Sequence, residues 1–170
     1  MKKIRFFRHS LKNGDFISPE GFQLIEEKKD FIPRVAKIFV SPYVRTIQTA
    51  AHMMAITEQK KVEIIQLESI GNPEVEKEIF AHEGLMKDYK SNPKQNLYSL
   101  MRKHFGIAEL AKLESKSFKM LQEIFDKMEE HEMVIAVGHS PYIFMANNCM
   151  PETEVLTHNM SEMEYVDIEL

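Results

Sequence analysis

Ala36-Lys37-Ile38-Phe39-Val40-Ser41-Pro42-Tyr43-Val44-Arg45-Thr46-Ile47-Gln48-Thr49-Ala50 is the stretch that decides the fold. Its first five residues form an apolar, β-prone run. Ser41-Pro42 then reads as a helix cap followed by a first-turn proline, and Val44, Ile47, Ala51 and Met54 keep the spacing of one helix face. The same grammar precedes it: Ile4-Arg5-Phe6-Phe7 is a short strand, and Ser18-Pro19-Glu20-Gly21 is a helix entry. There Ser18 is the N-cap, Pro19 takes the first helical position, and Phe22, Leu24 and Ile25 face inward. Residues 62–67 supply a third strand. Strand, helix, strand, helix, strand predicts right-handed βαβ units and a mostly parallel sheet. The fold class is therefore α/β, a three-layer α/β/α sandwich.

Downstream the pattern changes and then returns. Residues 73–113 read as a helical excursion broken at Gly84, Asn92-Pro93 and Gly106, with Met86, Tyr89, Tyr98, Met101 and Phe105 spread through it. Residues 114–131 form an amphipathic helix with Phe118, Leu121, Phe125 and Met128 on its inner face. Residues 133–137 are a core strand ended by Gly138-His139-Ser140-Pro141, residues 142–149 a further helix running toward Pro151, and Val166, Ile168 and Leu170 alternate as a closing edge strand. With 170 residues and 44% apolar composition, the chain supports one domain over 1–170.

A net charge of −4 gives no global basic field, so nucleic acid is not an expected partner. The charged start of the chain meets charge again at Arg8, which leaves no apolar signal or spanning segment and no expected membrane partner. The single cysteine, Cys149, excludes an internal disulfide framework and fits a cytoplasmic setting. Only five of the 22 basic residues are arginine, the side chain whose planar fork suits phosphate, and two of those five, Arg8 and Arg45, fall in motifs.

Three strand ends carry unusual polar groups: Arg8-His9, Ser41-Pro42 with Arg45, and Gly138-His139-Ser140. In a parallel sheet these ends meet at one edge, where open α/β sheets build their sites. Two imidazoles and two guanidiniums beside helix N-termini make an anion pocket suited to phosphate. A neutral histidine can attack phosphorus and form a covalent intermediate. Arginines bind the equatorial oxygens as charge develops, so the chemistry calls for neither a metal nor a cofactor.

Taken in order, Arg8-His9-Ser10, Ser18-Pro19-Glu20-Gly21, the block from Ser41 to Ala50 and Val137-Gly138-His139-Ser140-Pro141 resemble the successive signatures of the histidine phosphatase superfamily, also called phosphoglycerate mutase-like. The most specific part is similar to the family's Ser-Pro-x-x-Arg-x-x-Gln-Thr-Ala. The resemblance implies that His9 is phosphorylated, that Arg8 and Arg45 clamp the phosphoryl group, and that His139 completes the pocket, with Ser10 and Ser140 as further substrate contacts. Small size and the Gly-His-Ser-Pro turn look most like the compact SixA-type phosphohistidine phosphatases. Ser10 stands where glycine is usual. The following Leu11-Lys12-Asn13-Gly14-Asp15 lacks the Glu-Thr and later Asn of the mutases, which argues against mutase chemistry.

A leaving alkoxide needs a proton donor, and Glu68 sits where many family members carry that acid; Glu78 and Glu83 are further candidates. A phosphohistidine substrate, with its good imidazole leaving group, would need none. His52, His82, His104, His131 and His158 share no metal-ligand spacing and read as surface or packing residues. The expectation is a metal-independent phosphatase acting through phospho-His9 on a phosphorylated small molecule or a phosphoprotein. The alternative from another class is a phosphate-pocket adaptor that binds a phosphorylated partner without turnover.

Overall fold

The first strand, β1 (Lys3–Arg8), lies inside a five-stranded sheet, because Ile4, Phe6 and Phe7 are fully buried and need cover on both faces. The structure is a computed structural model describing residues 1–71, 73–92, 95–148, 150 and 159–170, without the side chains of residues 73 and 74. Pro93, Cys149, Pro151 and His158, all named above, lie outside the described residues. After β1 come a short hairpin, β2 (Lys12–Asn13) and β3 (Phe16–Ile17), then α1 (Pro19–Glu27), β4 (Lys37–Val40), α2 (Val44–Ile56) and β5 (Glu63–Gln66). The excursion consists of α3 (Pro73–Ala81), α4 (Glu83–Ser91) and α5 (Leu97–His104). It is followed by α6 (Ile107–Asp126), β6 (Met133–Gly138), α7 (Ser140–Asn148) and β7 (Tyr165–Glu169).

The sheet order is β5-β4-β6-β1-β7. β5, β4, β6 and β1 are mutually parallel, and β7 closes the edge antiparallel to β1. Phe7, Ile38, Val40, Ile135 and Val137 pack on one face with Ile25 of α1 and Met53 of α2. Ile4, Phe6, Phe39, Val134 and Ala136 pack on the other with α3 to α7. That is the expected α/β sandwich with a mostly parallel sheet.

Three local expectations give way. Ser41 does not cap α2: the helix starts at Val44 with Tyr43 at its cap, because Ser41 Oγ is turned toward Thr46 Oγ1 (2.8 Å) and His139 Nε2 (3.1 Å). The inner face of α2 is Arg45, Thr46, Thr49, Ala50 and Met53, while Val44 is 41% exposed. Apolar spacing misplaced that face because its polar members are satisfied locally, Thr49 Oγ1 donating to the Arg45 carbonyl (2.8 Å) and Thr46 Oγ1 to that of Tyr43 (2.7 Å). The long helix begins at Ile107 rather than 114, its start fixed by Glu109 accepting from the Gly106 N–H (3.0 Å). Its buried face runs through Leu113, Ser117, Met120, Leu121, Ile124 and Phe125, so Phe118 turns outward. The hairpin, which has no apolar alternation, turns at Gly14 with φ +62°.

Candidate active site

Register brings the site together. β1 pairs Arg8 with Gly138, and β4 pairs Val40 with Val137, so His9, Ser41 and His139 leave three adjacent strands at the same edge. The chain stays bonded past the strand ends, His9 N–H donating to the Gly138 carbonyl (3.0 Å) and Ser41 N–H to that of Val137 (3.3 Å). The two imidazole centroids are 5.0 Å apart, with their planes inclined at 63°. Arg45, on the first turn of α2 and 7% exposed, bridges them. Its Nε donates to His9 Nε2 and its Nη2 to His139 Nδ1, both at 3.3 Å. Tyr43 lies under this bridge, its ring 4.3 Å from the guanidinium carbon and edge-on to His139 at 5.0 Å.

Hydrogen bonds assign the protons. His9 Nδ1 faces the Ser10 carbonyl at 2.7 Å, which can only accept, so Nδ1 carries the hydrogen; Nε2 faces a permanent donor, so it presents its lone pair. His139 is the opposite tautomer: Nδ1 accepts from Arg45, and Nε2–H donates to Ser41 Oγ. Both rings are held neutral. Burial, then the charges of Arg45, Arg8 and Lys12, push His9 down to about 4 against the opposing Ser10 hydrogen bond; burial and the facing His9 and Arg45 push His139 well below its ordinary value.

Close packing shapes the rest. A Cβ on Gly71 would come within 2.9 Å of Ser41 Cβ and 3.3 Å of His139 Cδ2, so only glycine lets this turn approach the pair. Ser10 is fully buried, and its hydroxyl donates to the Gly21 carbonyl at 2.7 Å. That bond ties the His9 loop to α1. Ser140 opens α7 at a half-buried position beside His139, where the helix N-terminus favours an anion. Arg8 makes no hydrogen bond to either histidine among the described residues. Its guanidinium donates to the Met160 carbonyl and pairs with Glu162 Oε1 at 2.8 Å.

Glu68 is exposed on a one-turn 3₁₀ helix (Glu68–Gly71) and makes no hydrogen bond or ion pair to the other site residues among those described. Glu78 pairs with Lys112 at 3.2 Å, and Glu83 is an exposed first-turn residue of α4. A carboxylate that does bond to a residue packed on His139 is Glu76 of α3, which accepts from the Tyr43 hydroxyl at 3.2 Å. Burial raises the Tyr43 phenol, which stays protonated to make that bond. No sequence signal pointed to Glu76, whose place follows from buried Val75 and Ile79 docking α3 on the core.

No family model matches the sequence, and no curated protein matches it. Solved structures do. A phosphoglycerate mutase from Bacillus anthracis superimposes with a TM-score of 0.68 at 12% identity, covering 97% of this chain and 86% of that one. The chain has the phosphoglycerate mutase-like fold. A phosphoserine phosphatase from Entamoeba histolytica, solved with 3-phosphoglyceric acid, has the same fold at a TM-score of 0.61 and 16% identity, covering 98% and 90% of the two chains. The SixA protein from Agrobacterium tumefaciens matches at 0.51 and 15% identity over 89% and 78%. In this chain that fold sets two imidazoles and a buried arginine at the sheet edge, and no helix among the described residues is long and apolar enough to cross a membrane.

Proposed function

We propose that this protein is a metal-independent phosphatase that works through a phosphohistidine on His9. The observation that carries the reading is the His9 tautomer: a buried, neutral imidazole whose Nε2 lone pair faces Arg45 and whose Nδ1 is fixed by the Ser10 carbonyl. That is a nucleophile ready to attack phosphorus, next to the cation that takes up the charge developing on the equatorial oxygens. His9 Nε2 bonds to phosphorus as the bond to the leaving oxygen breaks, and that oxygen takes a proton from a carboxylic acid. Water then attacks the phosphohistidine and returns its proton to the same carboxylate, the P–N bond breaks, and phosphate leaves.

We assign the acid to Glu76 rather than Glu68, because Glu76 is tied through Tyr43 to the His139 side of the pocket. His139, Arg8 and the α7 N-terminus with Ser140 complete the anion site. A phosphomonoester, free or on a protein, fits this chemistry, and phosphohistidine fits it without the acid. The test is hydrolysis of radiolabelled p-nitrophenyl phosphate with EDTA present, followed by rapid quench into alkaline detergent, in which the P–N bond survives. A labelled phosphoenzyme on His9, lost in His9→Ala, supports the reading; activity retained in His9→Ala refutes it, and phosphate binding with neither labelling nor turnover points to an adaptor.

A further inference from the structure

Arg8 is the member of the expected phosphate clamp whose terminal nitrogens are bonded elsewhere, to the turn before β7. That turn grips Arg8 at four points. The Arg8 N–H donates to the Glu164 carbonyl at 2.9 Å, and the Met163 N–H donates to the Arg8 carbonyl at 3.2 Å. One terminal guanidinium nitrogen donates to the Met160 carbonyl, and the other pairs with Glu162 Oε1 at 2.8 Å. The turn is itself over-determined. Ser161 N–H donates to Glu164 Oε2 at 2.6 Å, Glu164 N–H to the Ser161 carbonyl at 3.1 Å, and the side chains of Met160 and Met163 are 1% exposed. Met163 holds φ at +61°, a conformation a non-glycine residue keeps only when its surroundings fix it.

Those bonds use one hydrogen on each terminal nitrogen, whereas Nε is buried and has no partner among the described residues. A buried N–H without an acceptor is unfavourable, and Arg8 is the residue directly before His9, so a phosphoryl oxygen on His9 is the acceptor within its neighbourhood. We propose that Glu162 is a positioning residue: by holding the far end of the Arg8 guanidinium it leaves the Nε–H as the edge that meets the phosphoryl group. The inference rests on the phosphatase reading and deepens it by adding a residue that does not touch substrate. A lysine at 162 would repel Arg8, and a neutral side chain would leave its long stem free to rotate, so the donor would have to be ordered at each binding event.

The experiment is a double-mutant cycle on calorimetric affinity for orthovanadate, with kcat/KM on p-nitrophenyl phosphate alongside. Glu162→Gln, which keeps the size of the side chain, is expected to weaken vanadate binding and lower kcat/KM by about tenfold each. Glu162→Asp, which keeps the charge, should fall between wild type and Glu162→Gln. In an Arg8→Lys background, which has no Nε–H to place, Glu162→Gln should change affinity by less than about twofold. Vanadate binding in Glu162→Gln within about twofold of wild type overturns the inference, as does an undiminished loss in the Arg8→Lys background. If Glu162→Gln does not fold, Glu162→Asp decides alone, with wild-type affinity as the overturning result. Wild-type protein that binds no vanadate overturns the phosphatase reading together with this one, and is told apart by the absence of binding before any substitution.

Discussion

Acidification is the perturbation that reads the site most directly, because His9 is folded as a neutral ring. Its ordinary value of 6.5 falls to about 4 in the folded protein, chiefly through burial. Between those values the unfolded chain binds a proton that the folded chain refuses, so stability must fall as the pH drops from 6.5 toward 4 and be insensitive to this group above that window. At about 1.4 kcal/mol per unit, the whole depression corresponds to about 3 kcal/mol, of which roughly 2 kcal/mol is collected between about pH 7 and about pH 4.5. His139, depressed mainly by burial and in contact with His9, titrates in the same direction. The assay is urea unfolding at a series of pH values for wild type and His9→Gln; with a slope of about 2 kcal/mol per molar, the wild-type midpoint should drop by about 1 M more than that of the variant. Superimposed pH dependences, or a His9 ring resonance that titrates near its ordinary value, would refute the buried neutral imidazole.

Arg45→Ala should lower kcat by about 10²–10³-fold on p-nitrophenyl phosphate, since one buried donor bridges both histidines and the transition state, and a loss under about tenfold would remove it from the clamp. Glu76→Gln should cost much more rate on an alkyl phosphate than on an aryl phosphate, whose leaving group needs no proton, while Glu68→Gln changes both by less than about twofold; the reverse pattern returns the acid to Glu68. Gly21→Ala should destabilise the protein by more than about 2 kcal/mol in urea, because its Cβ would lie 2.3 Å from the Leu11 carbonyl oxygen and 2.6 Å from Ile17 Cγ2, so backbone must move.

Much of this was legible in the sequence, for a physical reason. Strands buried on both faces read as apolar runs, and residues 38–40 and 133–137 could be little else. Proline after a cap then marked the start of α1, where Ser18 Oγ does accept from Gly21 N–H at 3.2 Å. Because parallel pairing aligns strand ends, His9, Arg45 and His139 could be placed together before their contacts were known. What failed was whatever depends on which partners the polar side chains take, near or far. Thr46 and Thr49 face inward against the hydropathy pattern because each bonds a carbonyl within its own turn. Ser41 leaves its helix for His139, and Arg8 bonds to a turn more than 150 residues away. Glu76 reaches the pocket through the docking of α3, a matter of tertiary packing that no local spacing encodes.

The strand that leads into His9 has consequences for how the molecule is made. β1 is synthesised well before both of its neighbours, β6 and β7, residues 133–138 and 165–169. Until both have left the ribosome, Ile4, Phe6 and Phe7 stand on a strand with two bare edges, the kind of segment that pairs with other chains. The grouping of His9, Arg45 and His139 must therefore assemble late. Loss of β7 would remove the shield from one edge of β1 together with the purchase that the Met160–Glu164 turn has on Arg8, so shortening the chain there should yield insoluble protein before it yields inactive protein.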